Sequence, residues 1–119
     1  MAMLVLPVPI LPGKLEQWRR FMEDLNGPRY KEFVESRQQA GIRERTFFHS
    51  TAYGDMAILV WEGDDPMRAI QLFMDGQDEF SRWQLQMAQE VHGFNPDAAL
   101  PPLPELVIDS HSTTDNPPA

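Results

Sequence analysis

The stretch Met3-Leu4-Val5-Leu6-Pro7-Val8-Pro9-Ile10-Leu11 carries no polar side chain at either parity, and Met56-Ala57-Ile58-Leu59-Val60-Trp61 repeats the pattern. Successive side chains of a β-strand point to opposite faces, so a strand with no polar parity shuns water on both sides. A sheet built from such strands has to be covered twice. One cover comes from the chain itself. After the turn Pro12-Gly13-Lys14, residues Leu15, Trp18, Phe21, Met22 and Leu25 recur at helical spacing among charged neighbours, which predicts an amphipathic helix.

Asn26-Gly27-Pro28 stops that helix, because glycine accepts a left-handed backbone and proline cannot continue the hydrogen-bond ladder. The pattern predicts a restart near Pro28, with Tyr30, Phe33 and Val34 on the buried face, ending at Gly41. Thr46 to Thr51 has the β-branched and aromatic content of a strand, and Tyr53-Gly54-Asp55 turns it into the strand that follows. Asp65-Pro66 sets a capping carboxylate before a proline at the first helical position. The second long helix starts there, breaks at Asp75-Gly76, continues through Phe80, Trp83, Met87 and Val91, and ends at Gly93 and Pro96. Prolines 96, 101, 102 and 104 then hold the chain extended. Leu106-Val107-Ile108 is the one later stretch that suits a strand, and the polar tail from His111 reads as loose. The expected organisation is one domain over 1–95 and a proline-rich arm over 96–119.

The order strand, helix, strand, strand, helix, with Leu106 to Ile108 as an optional fourth strand, is that of an α+β ferredoxin-like split βαβ domain, with both helices on one face of an antiparallel sheet. The other face is left bare. Four strands of about five residues give a face of roughly 300 Å² in projection. Covering it is worth on the order of 8 kcal/mol before association costs, at ~25 cal/mol per Å². A homodimer through the sheet face, closing into a dimeric α+β barrel, is the economical cover, and a small apolar ligand would then sit between the two sheets. Pro7 and Pro9 lie two apart and so delete donors on one flank only of the first strand. That flank is expected to be an edge, or to be covered loosely by the segment Leu106 to Ile108, from this chain or from the partner.

The 119 residues allow a single domain. Ten Lys and Arg against eighteen Asp and Glu give a formal charge of −8, which argues against nucleic acid and against anionic membrane surfaces. With no cysteine there is no disulfide, thiolate nucleophile or Cys-based metal site. The apolar N-terminal run is short, broken by prolines and without a basic start, so it reads as a strand rather than a signal peptide. A cytoplasmic bacterial-type protein is the expectation.

The corner Pro12-Gly13-Lys14-Leu15-Glu16-Gln17-Trp18, directly after an apolar first strand, resembles the strand-to-helix corner of the dimeric α+β barrel superfamily, which includes the antibiotic-biosynthesis monooxygenases. Phe80-Ser81-Arg82-Trp83, with Val91-His92-Gly93 at the end of the helix, is similar to a small family of uncharacterised bacterial proteins within that superfamily. The likeness spans residues 3 to 95 and is one of layout. It implies a homodimer and leaves open cofactor-free monooxygenase, isomerase, cyclase, dehydratase and haem-degrading activities.

His49, on a strand parity shared with Phe47 and Thr51, is the candidate catalytic base, since a cavity-facing imidazole shuttles protons near neutral pH. Glu44, between Arg43 and Arg45, is a second catalytic candidate, although guanidinium neighbours lower a carboxylate pKa. Its plainer reading is a solvated charge cluster. Phe47, Tyr53, Trp61, Trp83 and His92 are candidates for contact with a small apolar substrate. Against this, turn chemistry explains Tyr53-Gly54-Asp55, helical and strand spacing assign the tryptophans to the core, and His92 before Gly93 complements a helix dipole. The resemblance implies that a haem-degrading member would pair a tryptophan with an axial histidine on the second helix and carry an asparagine in the first strand; here Trp83 and His92 stand nine residues apart, on opposite helix faces, and the first strand holds no asparagine, both of which count against haem. Three scattered histidines have no metal-ligand spacing, and neither a phosphate loop nor a serine elbow occurs. The expectation is a cofactor-free enzyme of a small apolar or aromatic molecule, with a non-catalytic binding or stress-related dimer as the alternative.

Overall fold

A computed structural model describes residues 2–98 and 102–111. Its elements run β1 (Ala2–Pro9), α1 (Leu15–Asn26), α2 (Tyr30–Gln39), β2 (Ile42–Thr51), β3 (Gly54–Gly63), α3 (Pro66–Asp75) and α4 (Glu79–His92). The three strands form one antiparallel α+β sheet in the order β1-β3-β2. Leu4, Leu6 and Val8 of β1 lie opposite Trp61, Leu59 and Ala57 of β3, which in turn face Glu44, Thr46 and Phe48 of β2. By strand alternation these residues share one face.

That face is where the helices pack. Ile10, Trp18, Phe21, Leu25, Ala57, Phe80 and Val91 form one buried cluster, and Leu4, Ile42, Trp61, Ala69 and Ile70 form a second. The Asp65 cap and the Gly93 stop stand where the sequence implies, and the structure adds a cap at Asp78. Asp65 accepts a hydrogen bond from the Arg68 amide at 3.1 Å, and Asp78 does the same for Ser81 at 3.1 Å, so both later helices start on a carboxylate cap. Gly93 ends α4 at φ 69°, in the left-handed region open to glycine.

Three expectations change. Tyr30 is exposed, and the residue α2 buries is Arg37, because the helix turns its charged side chain inward to meet a carboxylate on β2. β2 starts at Ile42 rather than Thr46, so Arg43, Glu44 and Arg45 are strand residues with alternating sides. Among the described residues Leu106, Val107 and Ile108 form no strand and are 76, 85 and 85% exposed, while Leu103 packs against the second cluster. The expected loose tail beyond His111 lies outside the described residues.

The register also locates the prolines. The Ile10 amide donates to Asp55 of the β3 side at 2.9 Å, and the next amide, Leu11, donates away from it to Val91 at 2.8 Å. Backbone groups alternate along a strand, so Pro7 and Pro9 stand on the flank turned away from β3, at the sheet edge. The face opposite the helices carries Val5, Pro7, Ile58, Val60 and Phe47, with Arg43, Arg45 and Glu62 around them.

Gly63 closes β3 where the start of β2 crosses it, and a Cβ there would stand 2.2 Å from the Gly41 carbonyl oxygen. Gly63→Ala is expected to cost about 1–3 kcal/mol, read as a lower urea midpoint with unchanged slope. An unchanged midpoint would show that the crossing relaxes freely.

Candidate functional site

A pocket of about 150 Å³ opens between the helices and the covered face of the sheet. A cavity of that size holds one benzene-sized ring. Its body is hydrocarbon, supplied by Leu6 and Val8 of β1, Leu59 of β3, Phe21 and Leu25 of α1 and Phe73 of α3. Leu103 of the C-terminal arm also reaches it. Gln84, Ala88 and His92 line it at successive intervals of four along α4, which keeps them on one stripe over about 12 Å.

The Gln84 end is polar. Arg37, 9% exposed, donates from Nε to Glu44 Oε1 at 2.8 Å and from Nη1 to Gln84 Oε1 at 3.2 Å. Glu44 accepts on its other oxygen from the Thr46 hydroxyl at 2.7 Å. Phe33, Trp61 and Phe73 surround the guanidinium at 4.8, 5.4 and 5.9 Å from their ring centroids. A delocalised, weakly hydrated cation is suited to such a site, and its charge is balanced by the paired carboxylate. Removing either partner of a buried pair costs about 3–5 kcal/mol, because the survivor is left uncompensated. The indole N–H groups of Trp18 and Trp61, which also line the pocket, are buried without a partner among the described residues.

The other end is His92. Its Nδ1 lies 2.7 Å from the carbonyl oxygen of Pro9. That oxygen accepts but cannot donate, so Nδ1 carries the proton, and in the neutral ring Nε2 keeps its lone pair. Pro9 is available for this because its carbonyl sits on the unpaired flank of β1. Burial pushes the His92 pKa below the ordinary histidine value, partly opposed by the bond to Pro9.

The predicted site residues divide between the two faces of the sheet. Glu44, Trp61 and His92 come together at the pocket. His49 and Phe47 are exposed on the opposite face, paired with Met56 and Ile58 of β3, and cannot reach a ligand in this pocket from the same protomer. Tyr53 is fully exposed at the β2–β3 turn. Trp83 packs edge-on against Phe21 at 5.2 Å, under the Arg29 guanidinium at 4.3 Å, in the helical layer. Sequence reasoning missed Arg37, Thr46, Gln84 and Ala88. One signal was there: Gln84 interrupts the apolar stripe that Phe80, Met87 and Val91 define, and a polar residue at a buried position calls for a partner.

No group of three or more His, Asp or Glu side chains among the described residues could hold a metal ion, and no helix there is long and apolar enough to cross a membrane.

The lowered pKa of His92 gives a signed prediction. Between the folded value and about 6.5 the unfolded chain binds the extra proton and the folded chain does not, so stability falls as pH falls through that window. The urea midpoint is expected to drop from pH 7 towards pH 5, and His92→Gln is expected to flatten that slope. An equal slope in the variant would assign the loss to other groups. Compared with family models, with curated proteins and with solved structures, the chain matches none, so the chemistry of the site rests on its own geometry.

Proposed function

We propose that this chain is a homodimeric protein of the ferredoxin-like, dimeric α+β barrel type, each protomer of which takes a small apolar molecule into the pocket between its helices and its sheet. The observation that carries this reading is the pocket itself: a ring-sized hydrocarbon slot that the Trp and Met side chains leave open, with a charge-balanced polar cluster at one end and an imidazole at the other. Pockets of this make-up, apolar with few placed polar groups, are typical of small-molecule sites. The order β1-β3-β2 with helices on one face is consistent with a ferredoxin-like domain lacking its last strand.

Homodimerisation is proposed from the uncovered face. Val5, Pro7, Ile58, Val60 and Phe47 present apolar surface there, and a second copy would cover it with the same residues. His49 would then lie at the interface between sheets. The enzymatic form of the reading is cofactor-free chemistry of monooxygenase, isomerase or cyclase type on the bound molecule. The alternative is a binding protein without turnover, and an assay on ring compounds that bind separates the two.

Two outcomes test the proposal. Ethylbenzene titrated calorimetrically into the protein is expected to bind, and Ala88→Phe, which fills the slot from α4, is expected to weaken binding at least tenfold without lowering the melting temperature. Failure of the native protein to bind any single-ring compound would remove the pocket from the function. Light scattering at micromolar concentration is expected to give the mass of two chains, and Val60→Lys to give the mass of one. A native monomer would remove the barrel and leave the pocket.

A further inference from the structure

The two ends of the pocket differ in what they offer a ligand, and the difference names the ligand's class. Three ionisable side chains line the slot: Arg37, Glu44 and His92. Each Glu44 oxygen accepts one bond, one from Arg37 and one from Thr46, so the carboxylate is held in the ion pair. His92 has Nδ1 bound to Pro9, and Nε2 is the one ring nitrogen left. At the far end the bonds of Arg37 run from Nε and Nη1 to Glu44, Ser36 and Gln84, and among the described residues Nη2 of Arg37 and Nε2 of Gln84 have no partner. One end therefore presents an unshared lone pair, and the other presents two unpartnered donors, Nη2 of Arg37 and Nε2 of Gln84.

Resting on the pocket reading above, we infer that the pocket takes a neutral, single-ring molecule with a hydroxyl at one end and a carbonyl oxygen at the other, and that His92 Nε2 is the group that accepts the hydroxyl proton. Neutrality follows because Arg37 and Glu44 already cancel, and an anion or cation would enter a carbon-lined slot with no counter-ion. The polarity follows from the inventory of unspent groups, since a buried donor facing a donor, or an acceptor facing an acceptor, costs more than an apolar contact. In the reacting complex the hydroxyl O–H bond breaks and its proton moves to Nε2, giving an imidazolium that keeps its Nδ1–H bond to Pro9. The electron pair stays on the ligand oxygen and is drawn through the ring towards the carbonyl oxygen facing Arg37 and Gln84. No electron acceptor is needed, because nothing is oxidised. His92 is on this account a catalytic residue and Gln84 a binding residue that sets orientation.

Three para-substituted single-ring probes test it: 4-hydroxyacetophenone, 4-methoxyacetophenone, which lacks the donor, and 4-ethylphenol, which lacks the carbonyl. By calorimetry the first is expected to bind about tenfold more tightly than either of the others. His92→Phe should erase the preference over the methoxy compound, and Gln84→Met the preference over the ethyl compound. A measurement on the unaltered protein stands beside the variants. The ¹⁵N signal of His92 Nε2 should report an unprotonated nitrogen in the free protein, and should move with 4-hydroxyacetophenone but not with 4-methoxyacetophenone. Equal affinity for all three probes, or an Nε2 that carries the proton in the free protein, would overturn the two-ended site and leave the apolar pocket standing. Absence of binding by all three, with ethylbenzene also silent, would overturn the pocket reading instead.

Discussion

The Arg37–Glu44 pair is the joint between the helical layer and the sheet. A guanidinium and a carboxylate each lose several kcal/mol of hydration on burial, and they are kept in the core by meeting each other and by the further bonds each makes. Here those bonds reach Gln84 of α4 and Thr46 of β2, so one cluster ties α2, β2 and α4 together. The aromatic rings of Phe33, Trp61 and Phe73 stack around the cation and exclude water from it. This rigid polar end also keeps the slot beside it from collapsing, because apolar side chains that moved in would have to break it.

The opposite end of the slot is fixed by a different means. α4 is tied to the end of β1 twice, by the Leu11 amide on Val91 and by His92 on Pro9. The second tie sets the tautomer of the imidazole as well as its position, which is how a backbone carbonyl decides which ring nitrogen is left without a proton. Fold and site chemistry thus share one bond.

Much of this could be read from residues alone, and the failures have physical reasons. The oily parity of β1 and β3, the capping residue Asp65 and the break at Gly76 are local signals, and the corresponding elements formed where those signals lie. On α2, Phe33 packs against the core as its spacing implies, whereas Tyr30 faces solvent and Arg37 turns inward. The inward turn of Arg37 depends on Glu44, a partner that local periodicity does not see. For the same reason Glu44 read as one member of an exposed charge run, when strand alternation sends it inward and Arg43 and Arg45 outward. The bare face is conspicuous in sequence and points to a cavity between two sheets, whereas the pocket under the helices leaves no such mark. A void under helices depends on how Trp18, Phe21 and Phe73 pack, and periodicity carries no information on residual volume. His92 was legible as a residue of interest, and its hydrogen bond across 83 positions of sequence was not.

Pro7 and Pro9 have an effect on what the molecule avoids. An exposed β-edge invites any extended chain to zip along it, and repeated zipping is how soluble proteins become fibrils. Along this edge an incoming strand would find the amides of Met3 and Val5 and then two consecutive missing donors, with the Pro9 oxygen already taken by His92. Recruitment would stall after about three residues, so the prolines that leave a carbonyl free for the imidazole also guard the protein against runaway self-association.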